Sequence, residues 1–135
     1  MWFRYLAFSF LNIVLELFGL VLFLAYVVPD SIPAWGYRLI GWVISFIFAV
    51  VFAYWAFAKK IPEKKDAILL VAFHVTMFLF VYSAYGMLFS DHGAGVIFTV
   101  DFMVQLGLEV LAIMLVSYRL RRSKLQSMLG EGRVL

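Results

Sequence analysis

Asp101, Gln105 and Glu109, side chains able to hold a proton or a cation, recur every four residues inside the otherwise apolar stretch 96–118. On a helix that spacing keeps them within an arc of about 80°, so they point at one neighbour instead of around the circumference. A run of this length crosses a bilayer, where such groups are costly. On an insertion scale its aliphatic and phenylalanine side chains favour the membrane by about 4 to 8 kcal/mol, while Asp101 and Glu109 oppose it by roughly 5 to 7 kcal/mol. The segment, which also carries Thr99, is close to break-even alone, and its polar face needs a protein or water-filled partner.

Two other runs offer one. Residues 5–28 place Ser9, Asn12, Glu16 and Gly19 at helical spacing, and residues 67–89 carry His74. Counting 1.5 Å per residue from the nearest basic residues puts Glu16 about 18 Å beyond Arg4, Glu109 about 15 Å before Arg119 and His74 about 14 Å beyond Lys65. All three fall near one level, bracketed by Asn12 at roughly 12 Å and Gln105 at roughly 21 Å. Asp101, at roughly 27 Å, approaches the opposite surface near Arg38, Asp91 and His92.

No Lys or Arg shares the level of Glu16 and Glu109, so both cannot be ionised in a dry interior without a compensating cation. Three forms satisfy that requirement: protonated acids hydrogen-bonded to Asn12 and Gln105, a His74 imidazolium between carboxylates, or a bound cation. The chemistry this predicts is a proton or cation relay through Glu16, Glu109 and Asp101, supported by Asn12, Gln105 and His74. Asp91, His92 and Arg38 would form its outer entrance. The alternative is that the acids are interhelical glue, each hydrogen bond contributing about 0.6 kcal/mol. One intramembrane His and no Glu-x-x-His pair speak against a metal centre, and a second axial His for haem is lacking, so no metal or cofactor is expected. Ser9, Ser45 and Ser83 lie in no nucleophile motif and no phosphate-binding glycine loop occurs, so the chain is not expected to be an enzyme.

These residues are carried by four apolar runs, 5–28, 37–58, 67–89 and 96–118, each near the roughly 20 residues that span a hydrocarbon core. The expected fold is an all-α, integral membrane four-transmembrane-helix bundle with short loops. Pro29-Asp30-Ser31-Ile32-Pro33, the charged stretch from Lys59 to Asp66, and Ser90-Asp91-His92-Gly93 separate the runs, and such short connections predict that sequential helices pack as antiparallel neighbours. Gly41, Ser45, Ala49 and Ala53 form a small-residue ridge on the second helix, a surface for close helix packing. Together with the polar face of the fourth helix it offers two packing surfaces, one of which could meet another subunit, so a homo-oligomer or a membrane-complex partner is expected.

Lys59, Lys60, Lys64 and Lys65 lie between the second and third runs, and Arg119, Arg121, Arg122 and Lys124 follow the fourth, whereas the other two loops hold only Arg38. The positive-inside rule then predicts both termini in the cytoplasm, with these basic residues on lipid headgroups, in a bacterial or archaeal inner membrane. Residues 1–118 form the membrane domain and 119–135 a basic cytoplasmic tail, either an amphipathic helix on the inner leaflet that ends at Gly130 or a solvated segment.

Composition sets the class. The 135 residues are 66% hydrophobic and 14% charged, with a net charge of +3 and a mean hydropathy of +1.03. That leaves no segment able to form a separate soluble domain. The basic residues cluster at the ends of apolar runs, so they mark topology and lipid contact and not a nucleic-acid surface. The absence of cysteine excludes disulfides and thiolate chemistry.

Arg4-Tyr5, Leu11-Asn12 and Glu16 together resemble the first span of GtrA-type proteins, small four-helix membrane proteins implicated in moving polyprenyl-linked sugars. Trp55-Ala56-Phe57 followed by lysines is similar to that family's aromatic and basic ending. The resemblance implies that Asn12, Glu16 and the inner basic residues serve a lipid-linked anionic substrate.

Overall fold

The computed structural model describes residues 2–27, 29–89, 91, 93, 95 and 99–132, with Leu20, Val21 and Leu24 described by their backbone only. Its long elements are helices: α1 (Trp2–Val14) runs through a π-helical segment (Leu15–Leu20) into α2 (Val21–Tyr26), followed by α3 (Ala34–Ala56), α4 (Lys64–Phe89) and α5 (Val100–Gly132). Four of these helical stretches are long and apolar enough to cross a membrane.

Local chemistry, more than hydropathy, sets the helix ends. Pro33 stands at the N-cap of α3 with extended backbone (φ −67°, ψ 158°), so the helix starts at Ala34, ahead of the apolar run at 37. Ahead of α4, the Asp66 carboxylate accepts the Glu63 N–H at 2.9 Å, half of a capping box, and fixes the start at Lys64. α5 does not stop where its apolar stretch ends. Its 33 residues reach roughly 50 Å, well beyond a hydrocarbon core of about 30 Å. The tail is therefore a straight continuation of the helix that passes through Gly130, since one glycine costs a helix only about 1 kcal/mol. The start expected at residue 96 falls on residues 96–98, which lie outside those described.

Around the bundle the order is α1, α3, α5, α4: α1 packs on α3 and α4, and α5 packs on the same two. Among the described residues α3 and α4, although consecutive, do not form a close-packed pair, contrary to the expectation from short loops. The small-residue ridge accounts for this. Gly41, Ser45, Ala49 and Ala53 are all buried, and α3 and α5 share the most extensive contact of the helix pairs described. The connection from Ala56 to Lys64 is long enough to cross the diagonal. The ridge and Glu109 are thus buried within one chain, while Asp101 and Gln105 on the same face of α5 stay partly exposed.

One end of the bundle gathers the basic residues. Arg4 donates to the carbonyl of Trp55 at 3.1 Å, and the 61–63 turn lies against Arg121, Lys124 and Leu125. The start of α1 and the tail half of α5 therefore share an end, and Arg38 and Asp101 mark the other. Next to the basic end lies a dry cluster of Tyr5, Phe8, Ala53, Phe57, Leu70, Ile113 and Val116; farther along, Ile13, Phe78 and Tyr82 form a second one.

Candidate functional site

Between these two clusters lies a chain of buried polar groups from three helices. α4 carries Leu70, His74, Phe78, Tyr82 and Gly86 at four-residue steps, all buried, so a single face of the helix looks into the bundle. α5 brings Glu109 to that face from one side. Glu16 arrives from the π-helical segment, whose wider turn gives α1 one residue more per turn at this point; such segments are rare and recur at functional sites.

The Tyr82 hydroxyl donates to Glu16 Oε2 at 2.9 Å, and His74 Nε2 pairs with Glu109 Oε2. The Glu16 and Glu109 carboxyls lie in electrostatic range of each other, and each has its Oε2 on another partner. Each leaves its Oε1 without a hydrogen-bond partner, as His74 leaves Nδ1. The groups therefore form two hydrogen-bonded pairs, Tyr82 with Glu16 and Glu109 with His74. His74 and Glu109 are fully buried and Glu16 is 6% exposed. Among the described residues no lysine or arginine pairs with any of them. Nor is there a group of three or more His, Cys, Asp or Glu placed to hold a metal ion.

Aromatic rings jacket the chain. The Phe8 ring stands edge-on to the His74 imidazole at 5.3 Å, and Phe78 lies 6.2 Å from His74 and 4.4 Å from Tyr82. Phe102 closes on Tyr82 at 4.7 Å. Tyr82 is eight residues beyond His74, so the two pairs span about 12 Å along the bundle axis.

The structure brings together Glu16, Glu109 and His74, and places the other candidates elsewhere. Asn12 is buried but donates to the Phe8 carbonyl of its own helix at 3.2 Å. Gln105 is half-buried within range of Glu109 and Tyr82, its Nε2 unsatisfied. Asp101 stands apart, in an ion pair with Arg38 at 3.4 Å. Asp91 is exposed, and His92 lies outside the described residues. Lys59, Lys60, Lys64, Lys65, Arg119, Arg122 and Lys124 are exposed at the basic end, with Arg121 half-buried. Tyr82 is the member that the sequence reading did not assign to the site. Its signal was available in the eight-residue offset from His74, which puts both on one helix face.

Fold and site together define an all-helical chain with four helices of membrane-spanning length around a buried carboxyl–histidine–tyrosine group. Comparison with known proteins returned no match: no family model fits this chain, and neither a curated protein nor a solved structure is similar to it. The likeness to GtrA-type proteins stays confined to the short motifs that carry it.

Proposed function

We propose that this protein is a proton- or cation-linked membrane transporter or channel, or the membrane subunit of one, in which Tyr82, Glu16, Glu109 and His74 form the relay. The observation that carries the reading is the two buried acids, Glu16 hydrogen-bonded by Tyr82 and Glu109 paired with His74, with no lysine or arginine among the described residues to neutralise them. Glue alone is a poor account of it. An interhelical hydrogen bond contributes about 0.6 kcal/mol and rarely above 1.7, against roughly 3 kcal/mol to place each acid at mid-membrane.

In this reading both termini are cytoplasmic and the basic end faces the inner leaflet, with lipid headgroups on its lysines and arginines. Asp101 and Arg38 then stand at the outer mouth, close to Tyr82 through its contact with Phe102, where Asp101 and Asp91 attract cations. The cluster of Tyr5, Phe8, Leu70, Ile113 and Val116 seals the inner side, so the described conformation is closed toward the cytoplasm.

Flux of protons and cations through the purified chain in liposomes under an imposed potential tests the proposal. Glu16→Gln and Glu109→Gln each keep a hydrogen-bonding amide but cannot titrate, so both should abolish flux. Full flux in either variant would remove that residue from the relay, and no flux in folded wild type would overturn the reading.

A further inference from the structure

A second site lies at the basic end, about 350 Å³ in volume, between the start of α1, the end of α3 and the start of α4. That volume is within the range of small-molecule sites, about 300 to 1,000 Å³. Its walls carry Arg4, Lys59 and Lys60 against a single carboxylate, Asp66, and its floor is apolar, with Tyr5 and Phe57. Arg4 is held in place: it donates to the Trp55 carbonyl at 3.1 Å and its guanidinium lies 5.4 Å from the centre of the Trp55 ring. Among the described residues neither Arg4 nor Lys59 has an acidic partner, and Lys60 shares Glu63, at 3.7 Å, with Lys65. Asp66 is 3% exposed and has one oxygen on the Glu63 N–H.

Three cations at the wall and one buried acceptor among apolar groups select a particular ligand. The cations match a phosphate, and Asp66 matches a hydrogen-bond donor attached to it. Exposed Phe3 is part of its lining, and Trp55, a ring type typical of the boundary between acyl chains and headgroups, lies against Arg4.

We propose that this pocket binds a glycerophospholipid headgroup whose phosphate lies on Arg4, Lys59 and Lys60 and whose hydroxyl or ammonium group donates to Asp66. Ethanolamine and glycerol headgroups satisfy both ends, whereas choline, with no N–H or O–H, satisfies only the first. The site rests on the membrane reading but not on the relay: lipid bound by a chain that carries no flux would leave it standing.

The test is lipid retention by the purified full chain, read by native mass spectrometry after exchange from mixed vesicles of phosphatidylethanolamine, phosphatidylglycerol and phosphatidylcholine. Wild type should hold the first two about tenfold more strongly than the third, the effect of one charge-assisted hydrogen bond. Lys59→Gln with Lys60→Gln, both exposed positions that leave the core intact, should weaken retention about 30-fold. Asp66→Asn, which keeps an acceptor but loses its charge, should reduce the preference over choline, and Asp66→Ala should remove it, while both leave phosphate binding. Equal retention of all three lipids by wild type, or retention unchanged in the double variant, would overturn the assignment. So would displacement of the lipid by inorganic phosphate or glycerol 3-phosphate alone, which would make the pocket a soluble-phosphate site.

Discussion

Tyr82→Phe removes a single oxygen and separates a relay from a structural hydrogen bond. The ring keeps its neighbours, Phe78 at 4.4 Å and Phe102 at 4.7 Å, so packing is conserved. What is lost is the donor to Glu16 Oε2 at 2.9 Å. An interhelical hydrogen bond in a membrane is worth about 0.6 kcal/mol and at most about 1.7, a factor of about 3 to 20 in the unfolding equilibrium. The variant therefore folds. Proton transfer is far less forgiving, since it needs a contact of about 2.6 to 3.2 Å or a single bridging water, and a positioned acid or base contributes on the order of 100-fold or more. Proton uptake into liposomes under a diffusion potential should fall on the order of 100-fold, while the thermal unfolding midpoint in detergent moves by a few degrees. Flux close to wild type in a folded variant would refute the assignment of Tyr82 to the pathway and return its hydroxyl to a packing role.

Removing Glu109 alone, as Glu109→Leu, leaves His74 Nε2 unpartnered and should destabilise the fold by about 1 to 3 kcal/mol. The double variant with His74→Phe should lose less than the sum of the two single changes in equilibrium unfolding, and strict additivity would show that the pair is uncoupled. Ala49→Leu drives a large side chain into the α3–α5 contact, where Ala49 is fully buried, and should cost about 1 to 3 kcal/mol; an unchanged melting point would mean the helices do not meet there. Glu63 lies outside the membrane-spanning helices, and the hydrogen bond and charge of Lys65, then the charge of Lys60, hold its carboxyl below its ordinary value of 4.5. Its contribution is complete above that value and lost as pH falls through the lowered one, so backbone amide exchange in the 59–66 turn should accelerate only below about pH 4.5. Glu63→Gln should remove that acid response, and an identical profile in the variant would exclude the carboxyl as its source.

The helical runs and the common level of Glu16, Glu109 and His74 are legible in the sequence because bilayer thickness and a rise of 1.5 Å per residue convert position into depth. Direction around each helix is harder to read. The third run spreads His74, Thr76 and Ser83 around the helix, so although the eight-residue offset puts Tyr82 on the His74 face, periodicity does not reveal that this face turns inward or that Tyr82 reaches Glu16. The neighbour order also escapes a sequence reading, because loop length permits either partner for α3 and the small-residue ridge decides between them in three dimensions. The π-helical turn has no compositional mark, since Leu15–Leu20 reads as ordinary helix apart from Glu16 itself.

In the proposed reading, the apolar cluster between His74 and the basic end would also act as an electrical insulator. If the outer mouth is wet, the transmembrane voltage drops mainly across the sealed layer, about 14 Å of a core about 30 Å thick. A charge that leaves His74 for the cytoplasm would then cross at least half of the field, and since a full crossing is worth about 2.3 kcal/mol per 100 mV, the exit step acquires on the order of 1 to 2 kcal/mol of voltage dependence per 100 mV. Tyr5, Phe8, Leu70, Ile113 and Val116 contribute no charge themselves, yet they would make the protein a voltage-sensitive device.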